Sequence, residues 1–377
     1  MKQTIPFNKP YLTGQEVQYI EQAIRSGKIS GDGRFTKLCK AFLEQRLAAQ
    51  KVLLTTSCTD ALELSALLLD LQPDDEVIMP AFTYVGTANA FVLRGAKIVF
   101  ADSTAQNPNL DVTGLERLVT PRTRAIVPVH YAGIACDMDP VLKVAHRYQL
   151  TVVEDAAQGI ESFYKGQPLG TIGAVGAFSF HETKNVTAGE GGLLAVNDLQ
   201  KAARAEIMRE NGTNRSSFFR GEVDKYTWVD VGSSFLPSDM IAAYLWAQLE
   251  QLDAIQHRRI AIWQRYFDGL EGLSALGVGL PVVPEYATNN GHIFYVVCRS
   301  LAERSALIEH MRSLHISLAF HYLALHKSPY FANKHDGRAL PWADRYTDCL
   351  VRLPLYYELG VEDQQRVVEG LLSFYGC

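Results

Sequence analysis

Residues 177–194, AFSFHETKNVTAGEGGLL, contain an apolar run, a single lysine at Lys184, and a glycine cluster that leads into a second apolar run. The pattern predicts a buried strand, a loop that presents one amine, and a tight turn into a second strand. Partial burial disfavours the charged form of such a lysine and makes its amine available as a nucleophile. A solvated lysine on a hairpin loop is the competing interpretation, and the rest of the chain decides between the two.

On the N-terminal side of this stretch, short apolar strands alternate with helical segments. Strands are predicted at residues 52–55, 76–80, 97–101, 125–129 and 151–154. Such alternation is typical of an α/β protein with a mostly parallel sheet covered by helices on both faces. A Gly/Pro-rich linker at 277–284 precedes a C-terminal part with predicted strands at 293–297 and 317–320 and a helix at 303–314. We therefore expect a large α/β domain at residues 1–255 and a small α+β domain at residues 256–377.

Composition limits the classes of function. The 377 residues carry a formal net charge of −5, which gives no electrostatic reason to expect nucleic acid or an anionic membrane as a partner. The first residues lack the long apolar core of a signal peptide, and no apolar run is long enough to span a membrane. The six cysteines are scattered without a metal-ligand spacing. These features predict a cytoplasmic protein with free thiols and no metal site.

Polar residues follow the predicted strands, where ligands bind in open α/β sheets. Ser57, Cys58 and Thr59 lie between a strand and a helix, so their amides and hydroxyls could hold a phosphate at the helix N-terminus. A simple N-cap by Ser57 or Thr59 is the alternative.

Asp155 ends the strand TVVED, and Gln158 follows three residues later. A partly buried carboxylate there needs a cationic or hydrogen-bonding partner, which the protonated ring nitrogen of pyridoxal phosphate would supply. The alternative is a carboxylate that caps the following turn. Tyr84, after PAFT, could stack on a flat cofactor, although most aromatic residues in such positions belong to the core.

Other cofactor and catalytic motifs are missing from the sequence. No G-x-G-x-x-G follows a strand, and there is no Walker A sequence, no HExxH and no G-x-S-x-G elbow. His130, His181, His321 and His326 sit beside aromatic or turn residues, and each taken alone favours a structural role.

Taken together, the motifs resemble the DegT/DnrJ-type sugar aminotransferases over essentially the whole chain. The segments that carry the resemblance are SCTDALE, DDEVIMPAFTYVGTANA, IVPVHYAG, VVEDAAQG, FSFHETKN with GEGG, and HYLALH. The resemblance implies the aspartate-aminotransferase fold, also called fold type I, and pyridoxal 5'-phosphate as the cofactor.

The resemblance also implies roles for individual residues. Lys184 would bind the cofactor as a Schiff base, Asp155 would pair with its ring nitrogen, and Gln158 would contact the ring hydroxyl region. Tyr84 would stack on the ring. The phosphate would be held by Ser179 and by the helix start at Ser57, Cys58 and Thr59.

A neighbouring subunit commonly completes the phosphate site in this family with an asparagine from a G-x-N-x-R-type segment. Here the matching stretch reads DVGSSFLPSD, with Ser234 in place of that asparagine. The resemblance implies a homodimer with active sites at the subunit interface. Candidate substitutes for the asparagine lie in or next to the long polar loop at 212–234: Asn211, Asn214, Arg215, Arg220 and Lys225.

The resemblance is strongest to enzymes of the enterobacterial common antigen pathway. It implies conversion of dTDP-4-keto-6-deoxy-D-glucose and L-glutamate to dTDP-4-amino-4,6-dideoxy-D-galactose and 2-oxoglutarate. The candidates for the sugar-nucleotide pocket are Tyr131, His181, His321 and His326. Three alternatives stay open: amination at C3 or with gluco configuration, a non-catalytic regulatory protein on the same fold, and a Rossmann oxidoreductase, which the missing fingerprint disfavours.

Overall fold

A seven-stranded sheet forms the centre of the structure, a computed structural model that describes residues 4–377. The strands of the chain are β1 (Lys51–Thr55), β2 (Glu76–Pro80), β3 (Lys97–Ala101), β4 (Thr123–Ile126), β5 (Thr151–Asp155), β6 (Phe163–Tyr164), β7 (Gln167–Pro168), β8 (Val175–Ser179), β9 (Gly192–Val196), β10 (Tyr295–Val297), β11 (Ala319–Phe320) and β12 (Leu350–Arg352). The central sheet has the order β1-β9-β8-β5-β4-β2-β3.

Six strands of this sheet run parallel, and β9 runs antiparallel to its neighbours β1 and β8. The reversal goes with the β8–β9 connection at residues 180–191, which contains no helix, whereas parallel neighbours are usually joined by a crossover helix. The carboxyl ends of β1, β2, β4, β5 and β8 therefore share one edge of the sheet. The predicted mostly parallel sheet is confirmed.

Helices pack against the central sheet and within the C-terminal part. They are α1 (Glu16–Arg25), α2 (Arg34–Leu47), α3 (Cys58–Leu68), α4 (Val85–Val92), α5 (Met138–Tyr148), α6 (Leu199–Arg209), α7 (Arg215–Phe219), α8 (Asp239–Leu249), α9 (Leu252–Leu270), α10 (Leu301–Ser313), α11 (Pro341–Cys349) and α12 (Val361–Tyr375). Strand β4 ends two residues before Pro128, earlier than predicted, because proline has no N–H to donate to the ladder. Within residues 4–377, no helix has both the length and the apolar character needed to cross a bilayer.

The C-terminal part contains a three-stranded antiparallel sheet of order β10-β12-β11. One apolar cluster joins Leu53 and Val153 of the central sheet to Val296 and Val351 of this smaller sheet. The proposed boundary between residues 255 and 256 falls inside α9, which links the two parts, so the division into two domains remains a proposal. The predicted strand at 317–320 is shorter, and β12 was not predicted because three residues are too few to show a pattern.

Candidate active site

A cavity of about 720 Å³ lies at the carboxyl edge of the central sheet and extends to the smaller sheet. Ten of the twelve residues named from the sequence as site candidates line it: Ser57, Cys58, Thr59, Tyr84, Asp155, Gln158, Ser179, His181, Lys184 and His321. Their common location follows from the sheet, since they sit at or after the ends of β1, β2, β5 and β8, or, for His321, just after β11.

The first turn of α3 forms one wall of the cavity. Ser57 is the N-cap, and its hydroxyl accepts a hydrogen bond of 3.0 Å from the amide of Asp60. The start of β9 packs closely on this turn, because a Cβ on Gly192 would collide with the backbone of Ser57 and Cys58. The free amides of the turn and the helix dipole make this wall suited to an anion such as a phosphate.

The loop between β8 and β9 holds Lys184 through its own backbone. Lys184 donates its amide to His181 O at 2.9 Å, and Ala188 donates to Phe180 O at 2.8 Å. Glu182 donates to the carbonyl of Gly189, which has a φ of +77° that favours glycine. The loop is therefore a closed, hydrogen-bonded turn rather than a solvated hairpin tip.

Lys184 itself is half-buried and lines the cavity. Burial lowers the pKa of its amine, and the positive charge of Arg352 acts in the same direction, while Cys58 and Asp155 oppose the shift. A neutral amine is the form that can attack a carbonyl or accept a proton. The position of Lys184 thus suits its amine to act as a nucleophile or as a proton acceptor.

Asp155 is 5% exposed and directs its carboxylate into the same cavity. Thr87 donates its hydroxyl to one carboxylate oxygen at 2.6 Å, and the amide of Ala157 donates to the other at 3.1 Å. A carboxylate can accept about four hydrogen bonds, so Asp155 keeps acceptor capacity toward the cavity. It can bind and stabilise a cationic N–H group there.

Gln158 and Tyr84 line the same cavity. The side-chain oxygen of Gln158 accepts from Ala132 N at 2.6 Å, and its amide donates to the Tyr322 hydroxyl at 3.1 Å. These bonds fix the Gln158 side chain against the sheet edge. Tyr84 is 57% exposed, and its ring centroid lies 6.3 Å from that of Tyr322. A flat ligand at the cavity mouth has an aromatic face available.

The remaining polar candidates differ in position. Ser179 and His181 line the cavity, with the Ser179 hydroxyl accepting from His181 N at 3.3 Å. His321 lines it too, and burial followed by the charges of Arg352 and Lys184 holds its pKa well below the usual range. Tyr131 lies behind His321 and contacts its Nδ1 through the hydroxyl at 2.9 Å.

His326 is not among the residues that line the cavity. It is 4% exposed, its Nε2 lies 3.4 Å from a carboxylate oxygen of Asp344, and its ring packs against His335. The short helical turn after Ala324 carries it away from the cavity. The structure therefore places His326 in a packing role rather than toward a substrate.

Sequence reasoning did not name several other cavity residues, among them Thr87, His292, Tyr322 and Arg352. Tyr322 follows His321 directly and Thr87 lies one helical turn beyond Tyr84, so adjacency to named residues was the available signal. His292 directly precedes the predicted strand at 293–297, and Arg352 lies on β12, which was not predicted.

Ser234 does not reach this cavity. It lines a separate pocket of about 520 Å³ together with Ser30, Asn211 and Arg215. Of the other residues named with it, Asn214 accepts from Thr227 N at 2.8 Å, and Arg220 is paired with Glu206 and Glu222. Lys225 is exposed. Within one chain, these residues and Lys184 thus belong to different surfaces.

Among residues 4–377, no three His, Cys, Asp or Glu side chains are grouped so that they could hold a metal ion.

Comparison with known proteins gives consistent matches over nearly the whole chain. A model of the DegT/DnrJ/EryC1/StrS aminotransferase family matches residues 10–372. An uncharacterised protein of Methanocaldococcus jannaschii is 30% identical over 378 aligned residues, covering 97% of this chain and 96% of that one.

Solved structures also match this chain over nearly its whole length. Spr1654 of Streptococcus pneumoniae, provisionally assigned as a sugar aminotransferase, matches in its PMP form with 28% identity, a TM-score of 0.91, and 99% and 98% coverage of the two chains. Its PLP form matches with 27% identity, a TM-score of 0.91 and 99% coverage of each chain. DesV of S. venezuelae matches with 30% identity, a TM-score of 0.90 and 99% coverage of each chain.

Proposed function

The chain belongs to the DegT/DnrJ/EryC1/StrS aminotransferase family, and we propose that it aminates C4 of dTDP-4-keto-6-deoxy-D-glucose with L-glutamate as the donor. The products would be dTDP-4-amino-4,6-dideoxy-D-galactose and 2-oxoglutarate. The protein is a sugar aminotransferase that uses pyridoxal phosphate, and it has the fold of type I aminotransferases. The observation that carries the site assignment is one cavity holding the Lys184 amine, the Asp155 carboxylate and the first turn of α3.

The residues of the cavity fit the cofactor. The free amides at the first turn of α3 would hold the phosphate. Gly192, which has no side chain, lets β9 pack against this turn, since a Cβ there would collide with the backbone of Ser57 and Cys58. Asp155 has acceptor capacity for a protonated ring nitrogen, and Tyr84 offers an exposed ring at the mouth. The Ser57 hydroxyl accepts from Asp60 N, which leaves its O–H free to donate, so we assign the phosphate to the turn amides and to the hydroxyls of Ser57 and Ser179.

The bound cofactor would serve as an electron sink for the carbon that loses its proton. The chain's own residues do the rest. Asp155 keeps the ring nitrogen protonated by its negative charge. Lys184, with a lowered amine pKa, removes the proton from the donor carbon and returns a proton to the keto-sugar carbon in the second half of the reaction.

We assign the sugar to the side of the cavity lined by His181, His321 and Tyr322. His321 would be neutral because burial lowers its pKa, so it can accept or donate a hydrogen bond to a sugar hydroxyl without carrying charge. Tyr131 holds His321 in this orientation from behind. The choice of dTDP and of C4 rests on the sequence resemblance alone.

We further propose a homodimer that acts in the cytoplasm, in a pathway that builds a surface polysaccharide such as enterobacterial common antigen. Large apolar side chains are exposed in one segment near Ser234: Phe219, Tyr226, Trp228, Val229 and Val231. Exposed apolar groups concentrated in one region are typical of an interaction surface. A partner chain on this surface would bring Ser234, Asn211 and Arg215 toward the neighbouring cofactor phosphate.

The test is product analysis by NMR after incubation of the purified protein with pyridoxal phosphate, L-glutamate and dTDP-4-keto-6-deoxy-D-glucose. The proposal predicts an axial amino group at C4 with the galacto configuration. An equatorial C4 amine would assign the gluco alternative. Turnover with a 3-keto isomer and no product with this sugar would assign amination at C3. A Lys184→Ala variant serves as the control for non-enzymatic amination.

A further inference from the structure

Another pocket, of about 430 Å³, lies where α2, α6 and α7 meet, and it shares no lining residue with the cavity of the candidate active site. We call it the α2–α6 pocket. Two carboxylates line it, those of Asp32 and Glu206. Six cationic side chains line it as well: Lys28, Lys37, Lys40, Arg209, Arg215 and Arg220. The chain as a whole has a formal net charge of −5, so this concentration of positive charge needs a physical explanation.

The two carboxylates of the α2–α6 pocket already form ion pairs. Asp32 accepts from Arg209 Nη2 at 2.8 Å through both of its oxygens. Glu206 pairs with Lys51 at 3.1 Å and with Arg220 at 2.7 Å. The remaining four cations of the pocket form no ion pair within residues 4–377: Lys28, Lys37, Lys40 and Arg215. The pocket therefore keeps positive charge that the described chain does not neutralise.

Arg209 is the most buried of these cations, with 1% of its surface exposed. Its Nη1 donates to Leu54 O at 3.1 Å, whereas its Nε is buried without a hydrogen-bond partner. Arginine has five N–H donors and no acceptor, and a desolvated guanidinium normally has an acceptor for each buried donor. An unpaired donor in the wall of a cationic pocket is expected where a ligand supplies the missing oxygen.

Lys40 is half-buried on α2 and lines the same pocket. Burial lowers the pKa of its amine, and the charges of Arg209 and Lys51 lower it further, while Asp32 and Glu206 oppose the shift. The charged amine is therefore less stable in the folded chain than in water. An anion bound in the pocket would stabilise this charge.

We propose that the α2–α6 pocket binds a small oligophosphate anion, such as inorganic pyrophosphate or the diphosphate group of a nucleotide, at a site separate from the active site. Four unpaired cations around one pocket suit an anion that carries several negative charges. Amine and guanidinium groups are the donors that proteins use for phosphate oxygens. The proposal does not depend on which sugar the protein aminates.

Two other occupants are the alternatives. Phe219 also lines the pocket and belongs to the exposed apolar segment proposed above as a dimer surface, so an acidic side chain of a second copy is one of them. One carboxylate would leave most of the four cations unpaired, which favours an oligophosphate. The other alternative is the diphosphate of a nucleotide sugar that is bound in the active site of a neighbouring subunit. It has the same chemistry, so the experiment must separate the two sources.

The experiment is a calorimetric titration of inorganic pyrophosphate into the protein loaded with pyridoxal phosphate, so that the cofactor's own phosphate site is filled. It compares the wild type with Lys40→Gln, Lys37→Gln and the control Lys143→Gln, at an exposed position of α5, in buffer with near-physiological salt. A second titration uses the pyridoxamine-phosphate form, saturated with the nucleotide amino-sugar that the wild type makes. Both are amines, so no turnover takes place.

We expect the wild type to bind one pyrophosphate per chain, with or without the amino-sugar. Lys40→Gln should weaken this binding at least about tenfold, because a hydrogen bond between charged groups is lost. Lys37→Gln should have a smaller effect, since Lys37 is exposed, and Lys143→Gln should have none. Without pyrophosphate, Lys40→Gln should melt at the same temperature as the wild type or higher, because an unfavourable charge is removed. Saturating pyrophosphate should raise the melting temperature of the wild type more than that of Lys40→Gln.

Four results would overturn the proposal. Absence of binding at near-physiological salt would assign the cations to another occupant, and equal affinity in all four proteins would place pyrophosphate elsewhere. Loss of pyrophosphate binding in the presence of the amino-sugar would make the pocket part of a neighbouring active site. A lower melting temperature of Lys40→Gln without pyrophosphate, at unchanged affinity, would show that Lys40 is structural. Failure of the C4 amination proposal leaves the first titration unaffected, because it needs no sugar.

Discussion

Glu154 and Asp155 are neighbours on β5, and their carboxylates meet opposite environments. Both oxygens of Glu154, which is fully buried, are saturated by donors at 2.6 to 2.9 Å, namely His130 Nε2 and the amides of Gly170, Ile172 and Gly173. Among the described residues, Thr87 and Ala157 are the only ones that donate to the Asp155 carboxylate, which lines the cavity. Glu154 thus has a structural role, whereas Asp155 has acceptor capacity left for a ligand in the cavity.

This contrast predicts opposite effects of two matched amide substitutions. In Glu154→Gln, the NH₂ group would face backbone N–H donors in either orientation, and we expect a loss of about 2–4 kcal/mol in the free energy of unfolding. In Asp155→Asn, the amide oxygen can still accept from Ala157 N, and the NH₂ can donate to the Thr87 hydroxyl. Its stability should change by less than about 1 kcal/mol, while kcat should fall at least about 100-fold because the ring nitrogen loses its counter-charge.

Urea unfolding and steady-state kinetics of the two variants check this. Equal loss of activity in both, or wild-type activity in Asp155→Asn, would contradict the division of roles.

The lowered pKa of Lys184 predicts a pH-dependent stability of the cofactor-free protein. The amine is protonated more readily in the unfolded chain than in the folded one, so its burial costs stability at low pH, and this cost disappears above the ordinary lysine value. Cofactor-free Lys184→Met should therefore melt at a higher temperature than the wild type at about pH 6, and the difference should shrink toward about pH 10. Lys143→Met, at an exposed position of α5, is the control. A melting-temperature difference between Lys184→Met and the wild type that grows with pH would contradict this prediction.

Asn185 follows Lys184 in the chain, and its side chain is anchored by buried hydrogen bonds. Its amide donates to Asn290 O at 2.9 Å and to Gln256 Oε1 at 3.0 Å, and its oxygen contacts His292 Nδ1 at 2.9 Å. Asn185→Ala leaves these buried groups unsatisfied, so we expect about 1–3 kcal/mol of destabilisation. Looser placement of Lys184 should lower kcat at least about tenfold. Exposed Asn89→Ala on α4 should change neither value in the same assays.

The exposed apolar segment near Ser234 predicts the behaviour of Trp228, whose side chain is 79% exposed. If this segment forms the dimer interface, Trp228→Asp should raise the dissociation constant at least about 30-fold, since a charge replaces an interface aromatic. Light scattering over a dilution series measures this. Val361→Asp, at an exposed helix start, should leave the dimer unchanged. An unaltered mass for Trp228→Asp would place the interface elsewhere.

Sequence patterns predicted the central sheet well, because long alternation of apolar strands and helices gives a strong signal. They also predicted that Ser57 follows a strand and that Asp155 ends one, and parallel strands bring such residues to one edge. The lysine loop was predictable for the same reason, since Gly189 and the flanking apolar runs mark a turn between two strands.

The C-terminal part was less predictable. Strand β12 has three residues and follows α11 without a linker, so neither it nor the position of Arg352 could be inferred. His326 lies five residues after His321 but outside the cavity, because the intervening chain turns away. Sequence spacing shows which residues are near in the chain, whereas these positions depend on packing between the two sheets.

The most direct test of the account is to locate the residue that holds the cofactor. The purified protein is loaded with pyridoxal phosphate, reduced with borohydride so that the cofactor is fixed to its lysine, and mapped by peptide mass spectrometry. The account predicts modification at Lys184 alone, and its loss when L-glutamate is added before reduction. Modification of another lysine, or none at all, would contradict it.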